Sequence, residues 1–374
     1  MPLLTRMLAS PLFVEIRSGA VDALAQLLTE RHISADGAVM VALGEGQAGE
    51  IWTSLEGSLP RAATFVVRDA SLSCAADLQE RLRAHNYDAV VAIGGGRTID
   101  VAKYAATRAG VPMVAVATSL AHDGICSPVA SLTQHGIKAS FGVAMPLAVM
   151  VDLDYVRRAP AHMVRSGIGD AISNLSAIED WTLAHRVRGE PIDGLAVAFA
   201  RTAAEAVLHR EDGIADHDFL VALAEALVLS GMAMSVAGTS HPCSGACHEI
   251  GHAMNQLHPG VSDHGELVGL GALFAYFLRE DARRFDQILR CLRRHGLPTS
   301  PSDLGIDDEQ FLEVLMHAPA TRPDRYTILE HLDLDRDAMR HRLTEFVTAT
   351  QSAATRSDRE PTRTRARLAV VHAG

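Results

Sequence analysis

Four histidines crowd one short stretch of the chain. His248, His252, His258 and His264 all lie between Ser244 and Gly271, in SGACHEIGHAMNQLHPGVSDHGELVGLG. His248 and His252 are spaced by about one helical turn, so a helix here presents both on one face. Pro259 and Gly260 mark a turn, and a second helix beginning near Gly265 carries the chain away. Two helices joined in this way can bring His264 back to His248. Neutral imidazole is the commonest metal ligand at physiological pH. A helical pair of histidines alone is more often structural; His264-Gly265-Glu266 beyond the turn brings the metal reading level with that one. Cys243 and Cys247 flank the cluster and could be thiolate ligands, but small semi-buried residues near a helix start are the favoured reading.

Such a site needs an anionic ligand from elsewhere. Asp170 stands in Gly167-Ile168-Gly169-Asp170-Ala171-Ile172-Ser173-Asn174, at the head of a mostly apolar helix running toward Trp181. An acid in that setting is expensive to bury unless it is paired or bound to a metal. A helix dipole is the competing partner. Asp170, His248 and His264 together would form an N₂O set with an open position, the catalytic type of zinc site. One divalent cation is expected, zinc first, with nickel, iron or manganese compatible with the same ligands.

A second candidate is the turn Gly94-Gly95-Gly96-Arg97-Thr98-Ile99-Asp100, between an apolar run, AVVAI, and an Ala-rich helix. Glycines let the backbone approach a pyrophosphate, and the N–H groups at the helix start point at the anion. The order is not GxGxxG, so an ordinary Rossmann fingerprint is absent. The earlier run AVMVAL ends in Gly44 rather than an acid, which suggests acceptance of NADP as well as NAD; Glu45 keeps a preference for NAD open. The polar loop Thr118-Ser119-Leu120-Ala121-His122-Asp123-Gly124-Ile125-Cys126-Ser127-Pro128 follows a further strand, and is either ligand-lining or simply solvated.

The elements that must position these groups alternate through the first half. Strands are expected in residues 1–20 and over Ala38 to Leu43, Ala63 to Val67, Ala89 to Ile93, Met113 to Ala117 and Met145 to Asp152. Helices are expected over Val21 to Arg31, Ile51 to Gly57, Cys74 to His85 and Thr98 to Arg108. Short connections between them predict a parallel sheet covered by helices. Beyond Tyr155 only helical patterns occur, over Met163 to Val187, Leu195 to His209, Phe219 to Ala237, and on to about Gln351. The expected architecture is an α/β nucleotide-binding domain over 1–157, an all-α metal- and substrate-binding domain over 158–351, and a flexible Arg-, Thr- and Ser-rich tail over 352–374.

With 374 residues the chain can bury a large core, and its net charge of -11 argues against a nucleic-acid surface. Five scattered cysteines, no signal-peptide pattern and no apolar span of membrane length predict a reduced cytoplasmic protein without membrane insertion. A small-molecule partner and a homo-oligomeric state are expected.

GGGRTIDVAK, TSLAHDGICSP, GDAISN with Trp181 downstream, and SGACHEIGH followed by HGE resemble the sn-glycerol-1-phosphate dehydrogenases of the dehydroquinate synthase-like and iron-dependent alcohol dehydrogenase superfamily. The resemblance runs from about residue 88 to 275. It implies a nucleotide domain and a helical domain with the site in the cleft between them. It implies metal ligation by Asp170, His248 and His264, and cofactor contacts from Gly94, Gly95, Gly96, Arg97, Thr98 and Asp100, and from Thr118, Ser119, Leu120, Ala121 and Ser127. Asp123, His252 and Asp170 would face the substrate. The implied reaction is reversible reduction of dihydroxyacetone phosphate by NAD(P)H.

One position departs from the family pattern. His241, in Ser240-His241-Pro242-Cys243-Ser244-Gly245, stands where the family usually has Arg. An imidazole grips phosphate less well than a guanidinium and only when protonated. A related polyol or carbonyl substrate is therefore an alternative, with Lys138 and Arg97 as other candidate anion partners. A sugar-phosphate cyclase of the dehydroquinate synthase type using NAD transiently, and a non-catalytic nucleotide-binding relative, are competing readings. His122 and His258 are taken as structural or solvent-exposed.

Overall fold

The computed structural model describes residues 9–357. Six parallel strands form one sheet: β1 (Phe13–Arg17), β2 (Val39–Leu43), β3 (Ala63–Val66), β4 (Ala89–Gly94), β5 (Met113–Ala117) and β8 (Ala148–Asp152), in the order β1-β8-β5-β4-β2-β3. β2, β4, β5 and β8 are buried along their whole length. This is why they read as unbroken apolar runs rather than alternating ones. Met40, Val90 and Ala115 face one side with α3 (Leu72–Ala84) and α4 (Gly96–Ala109). Val41, Val91 and Val114 face the other with α1 (Leu24–Glu30) and α2 (Ala48–Leu55).

Between β5 and β8 an antiparallel hairpin, β6 (Val129–Gln134) and β7 (Ile137–Gly142), stands apart from the sheet. The strand reading did not include it. Its two turn residues, His135 (φ 51) and Gly136 (φ 80), hold the positive φ values of a tight hairpin loop.

The helical part begins at once after β8, with α5 (Leu153–Arg158) and α6 (Ala161–Arg188). The boundary proposed at 157/158 falls at the end of α5. Then follow α7 (Gly194–Leu208), α8 (His217–Ala237), α9 (Ala246–Leu257), α10 (His264–Leu278), α11 (Ala282–Arg294), α12 (Asp308–His317), α13 (Ile328–Leu332) and α14 (Arg336–Ser357). The segment expected as a tail is thus helical as far as Ser357, since α14 continues into it; residues 358–374, like residues 1–8 of the expected first strand region, lie outside the described residues. α8 is long and apolar enough to cross a membrane by composition, but most of it is buried inside the protein, against α7 and α6 among others.

Two places decide where the site forms. The chain goes from β2 to its neighbour β3, then returns to the other side of β2 as β4. Ligands bind beyond the carboxyl ends of strands at such a reversal, and Gly44 and Gly94 are the residues there. The other place is the contact of α6 with α10. A Cβ on Gly265 would collide with the Ser166 carbonyl, and one on Gly169 with the Gly265 carbonyl. Only glycine lets these two backbones touch.

Candidate metal and dinucleotide site

Asp170 directly follows Gly169 and His264 directly precedes Gly265, so the helix contact delivers them to one point. Gly265 N donates to Ser166 Oγ at 3.0 Å, which fixes the start of α10 on α6. α6 also fixes the start of α9, because Ala246 N donates to Asp180 Oδ2 at 2.8 Å. His248 then reaches the same point from α9. His248 Nε2 and His264 Nε2 each lie 3.8 Å from Asp170 Oδ1. One donor atom from each of the three lies within 4.8 Å of the others.

This arrangement fits a divalent cation. Metal–ligand bonds of about 2 Å place neighbouring donors roughly 3–4 Å apart. Burial, then the neighbouring imidazoles and Arg322, holds both imidazoles well below their ordinary range, which keeps them neutral. Burial raises the Asp170 carboxyl, against the lowering effects of His122 and the Asp123 N–H. A cation among the three would hold that carboxylate ionised.

The surroundings orient each donor. Asp123 N donates to Asp170 Oδ2 at 2.8 Å, leaving Oδ1 to face the imidazoles. The Cys247 thiol, which burial pushes up to about 12, donates to the Ser173 carbonyl at 3.6 Å. Its sulfur lies 3.4 Å from His248 Nδ1 and can accept that N–H. This leaves His248 Nε2 facing Asp170, with Cys247 orienting the imidazole from its other nitrogen.

The glycine turn lies against the same cavity. Gly94 ends β4, Gly95 caps α4 and Gly96 opens it. Thr98 packs into the space that side chains on Gly44 and Gly94 would fill. A cavity of about 450 Å³ is lined by Gly96, Arg97, Asp123, Ser127, His248, His252 and His264 among others. Thr118 and Ser119 are buried behind the turn, and Thr118 N donates to Gly94 O at 3.1 Å. The Leu120 side chain is fully buried, and its carbonyl packs on Gly167. Ala121 is half-buried in the same loop.

Asp100 faces inward. Its Oδ1 is 2.9 Å from Lys103 Nζ, and its Oδ2 accepts from Ser131 N at 3.0 Å. Lys103, fully buried, donates to the carbonyls of Gly124 (2.8 Å), Ser127 (3.2 Å) and Val129. This pair therefore anchors the loop that carries Asp123 and Ser127. Burial, then the charge of Asp170, pushes the Asp123 carboxyl well above its usual range.

His122 also lines the cavity. Its Nδ1 accepts from Gly124 N at 3.0 Å, and its ring lies against Gly96, where a Cβ would overlap it. His258 ends α9 and is not among the lining residues. Lys138 and Arg97 both line the cavity, and Arg97 is 3.2 Å from Glu45. His241 stacks on Trp181, with ring centroids 5.6 Å apart, and its Nε2 is 3.1 Å from Glu190. Two arginines that sequence reasoning passed over, Arg322 and Arg325, enter the cleft wall beside His252 from the turn after α12.

A family model described as iron-containing alcohol dehydrogenase matches residues 15–160. Over 85% of its length the chain is 37% identical to a glycerol-1-phosphate dehydrogenase of Hyperthermus butylicus, covering 92% of that protein. The chain belongs to the glycerol-1-phosphate dehydrogenase family. It is 40% identical to the Methanosarcina mazei member over 69% of this chain and 74% of that one. The fold is that of glycerol dehydrogenase from Schizosaccharomyces pombe, with a TM-score of 0.77 at 21% identity over 95% of this chain and 93% of that chain. As a glycerol-1-phosphate dehydrogenase family member, the protein is an NAD(P)-dependent oxidoreductase acting on a small molecule.

Proposed function

We propose that the protein reduces dihydroxyacetone phosphate to sn-glycerol 1-phosphate with NAD(P)H, using one divalent cation held by Asp170, His248 and His264. The observation that carries this reading is the meeting of those three donors, from three separate helices, with His248 and His264 lining the cavity that Gly96 also lines. When bound, NAD(P)H supplies a hydride and the cation supplies a Lewis acid for the substrate carbonyl. The donor set suits zinc, and nickel or iron as well.

The protein's own groups hold the substrate and its proton. Arg322 Nη2 faces His252 Nε2 at 3.2 Å and donates to it, so Nδ1 is the N–H that His252 can offer to a substrate oxygen. Asp123, whose carboxyl burial and the charge of Asp170 hold well above its usual range, lines the cavity and can hydrogen-bond a substrate hydroxyl. The Gly96 end of α4 offers backbone N–H groups to the cofactor diphosphate. Glu45 would oppose a 2′-phosphate, but Arg97 beside it offsets that charge, which supports use of NADP as well as NAD. All five cysteines are buried and unpaired, in keeping with a reducing cytoplasm.

Steady-state oxidation of NADH and NADPH by the purified protein, with dihydroxyacetone phosphate and with dihydroxyacetone, tests the reading. Turnover favouring the phosphorylated substrate is expected. Absence of turnover with either would defeat the proposal.

A further inference from the structure

Many arginines in this protein sit beside carboxylates, as Arg158 does with Glu50 at 2.5 Å and Arg284 with Glu205 at 2.9 Å. Arg322 and Arg325 do not: among the described residues neither forms an ion pair. Both point at one hydroxyl. Arg322 Nη1 donates to Ser240 Oγ at 3.3 Å and Arg325 Nη2 donates to the same atom at 2.9 Å. Arg325 Nη1 is buried with no hydrogen-bond partner. Glu249 acts on both guanidiniums, and Glu190 and Asp180 on Arg325, yet no carboxylate among the described residues reaches either at ion-pair distance, so two neighbouring cations with one unused buried donor still favour an anion between them.

The space for that anion exists. Arg322, Lys138, Ser140, Ser240 and His252 line both the cavity of the metal donors and an adjoining one of about 540 Å³, which Arg325 also lines. Lys138 arrives from β7 and brings a third cation. The neighbouring His241 is not a competitor. Burial, then Arg325 and Arg322, holds its imidazole down at about 4, so it is neutral and turned onto Trp181. The cofactor's diphosphate has its own place at the start of α4. What remains for the arginine pair is an anionic group on the substrate, one turn of helix beyond the metal donor His248.

We propose that Arg322 and Arg325, with Lys138, seat the phosphate ester of the substrate, and that this pair, not position 241, sets the preference for a phosphorylated over an unphosphorylated triose. The inference rests on the reaction proposed above and adds the residues that select its substrate. A planar guanidinium can hold two phosphate oxygens at once, and two of them with an ammonium can match a dianion.

Arg325→Gln and Arg325→Lys in the full metal-loaded chain test it. Two quantities are read: the ratio of kcat/KM for dihydroxyacetone phosphate to that for dihydroxyacetone, and the Kd for inorganic phosphate by calorimetry. In Arg325→Gln the ratio should fall about 100-fold, mostly through KM for the phosphorylated substrate, and the phosphate Kd should rise at least about tenfold. Arg325→Lys should recover part of both. Equal losses on the two trioses, or phosphate binding unchanged in Arg325→Gln, would overturn the assignment; the latter would place the anion on the cation instead. If wild type reduces neither triose yet binds phosphate in an Arg325-dependent way, the anion site stands and the proposed reaction falls. If it reduces the phosphorylated triose with selectivity untouched by Arg325→Gln, the reaction stands and the anion site falls.

Discussion

His241 shows how one residue can look functional and be held inert. Its imidazole sits among Trp181, Glu190 and two arginines, and its pKa is lowered to about 4, chiefly by burial. Unfolded histidine titrates near 6.5. Between about 6.5 and 4 the unfolded chain takes up a proton that the folded protein refuses, so this group makes stability fall as pH falls through that window. Above the window it has no effect. His241→Gln should therefore give a flatter dependence of the urea midpoint on pH between about 4.5 and 6.5, and the same dependence as wild type above it. An equally steep acid limb in the variant would mean that His241 is protonated in the folded state. The same residue marks a limit of sequence reading. Its type and position suggested a weak phosphate grip, but nothing local told of Arg322 and Arg325, which lie more than eighty residues later in the chain and meet Ser240 only after folding.

At the scale of elements, the α6–α10 contact is the joint that sets the donor geometry. Gly265 has no room for a side chain, because the Ser166 carbonyl occupies that space. Gly265→Ala should destabilise by about 1–3 kcal/mol and lower cation affinity, since the helices must separate and carry Asp170 from His264. Gly49, in α2, has open space around its Cβ position. Gly49→Ala should instead stabilise by about 0.4–1 kcal/mol and leave cation affinity unchanged. Calorimetric melting with metal titration reads both; a tolerated Gly265→Ala would remove this joint from the account. The parallel strands were legible because burial on both faces writes them as continuous apolar runs, as in β4 and β5. The β6–β7 hairpin was missed although its signal is local: a His135-Gly136 turn between two short runs, VASLTQ and IKASFG. The hairpin is what carries Lys138, a candidate anion partner by its charge, into the cleft.

For the whole molecule, the cleft is assembled from segments between Ala70 and Arg325, with the glycine turn on the sheet side and the donor set on the helical side. The meeting of Asp170, His248 and His264 could be anticipated because helical spacing and a Pro-Gly turn restrict where the histidines can go. The buried Lys103–Asp100 anchor could not, because its partners are backbone carbonyls that no residue type reveals. The central claim is that a cation at these three donors is required for turnover. Metal content by mass spectrometry and NAD(P)H oxidation with dihydroxyacetone phosphate should be measured on the same preparations of wild type and His264→Ala. Near one divalent cation per chain is expected in wild type, and the variant should lose both cation and turnover. A variant that keeps the cation and reduces the substrate at the wild-type rate would contradict the account.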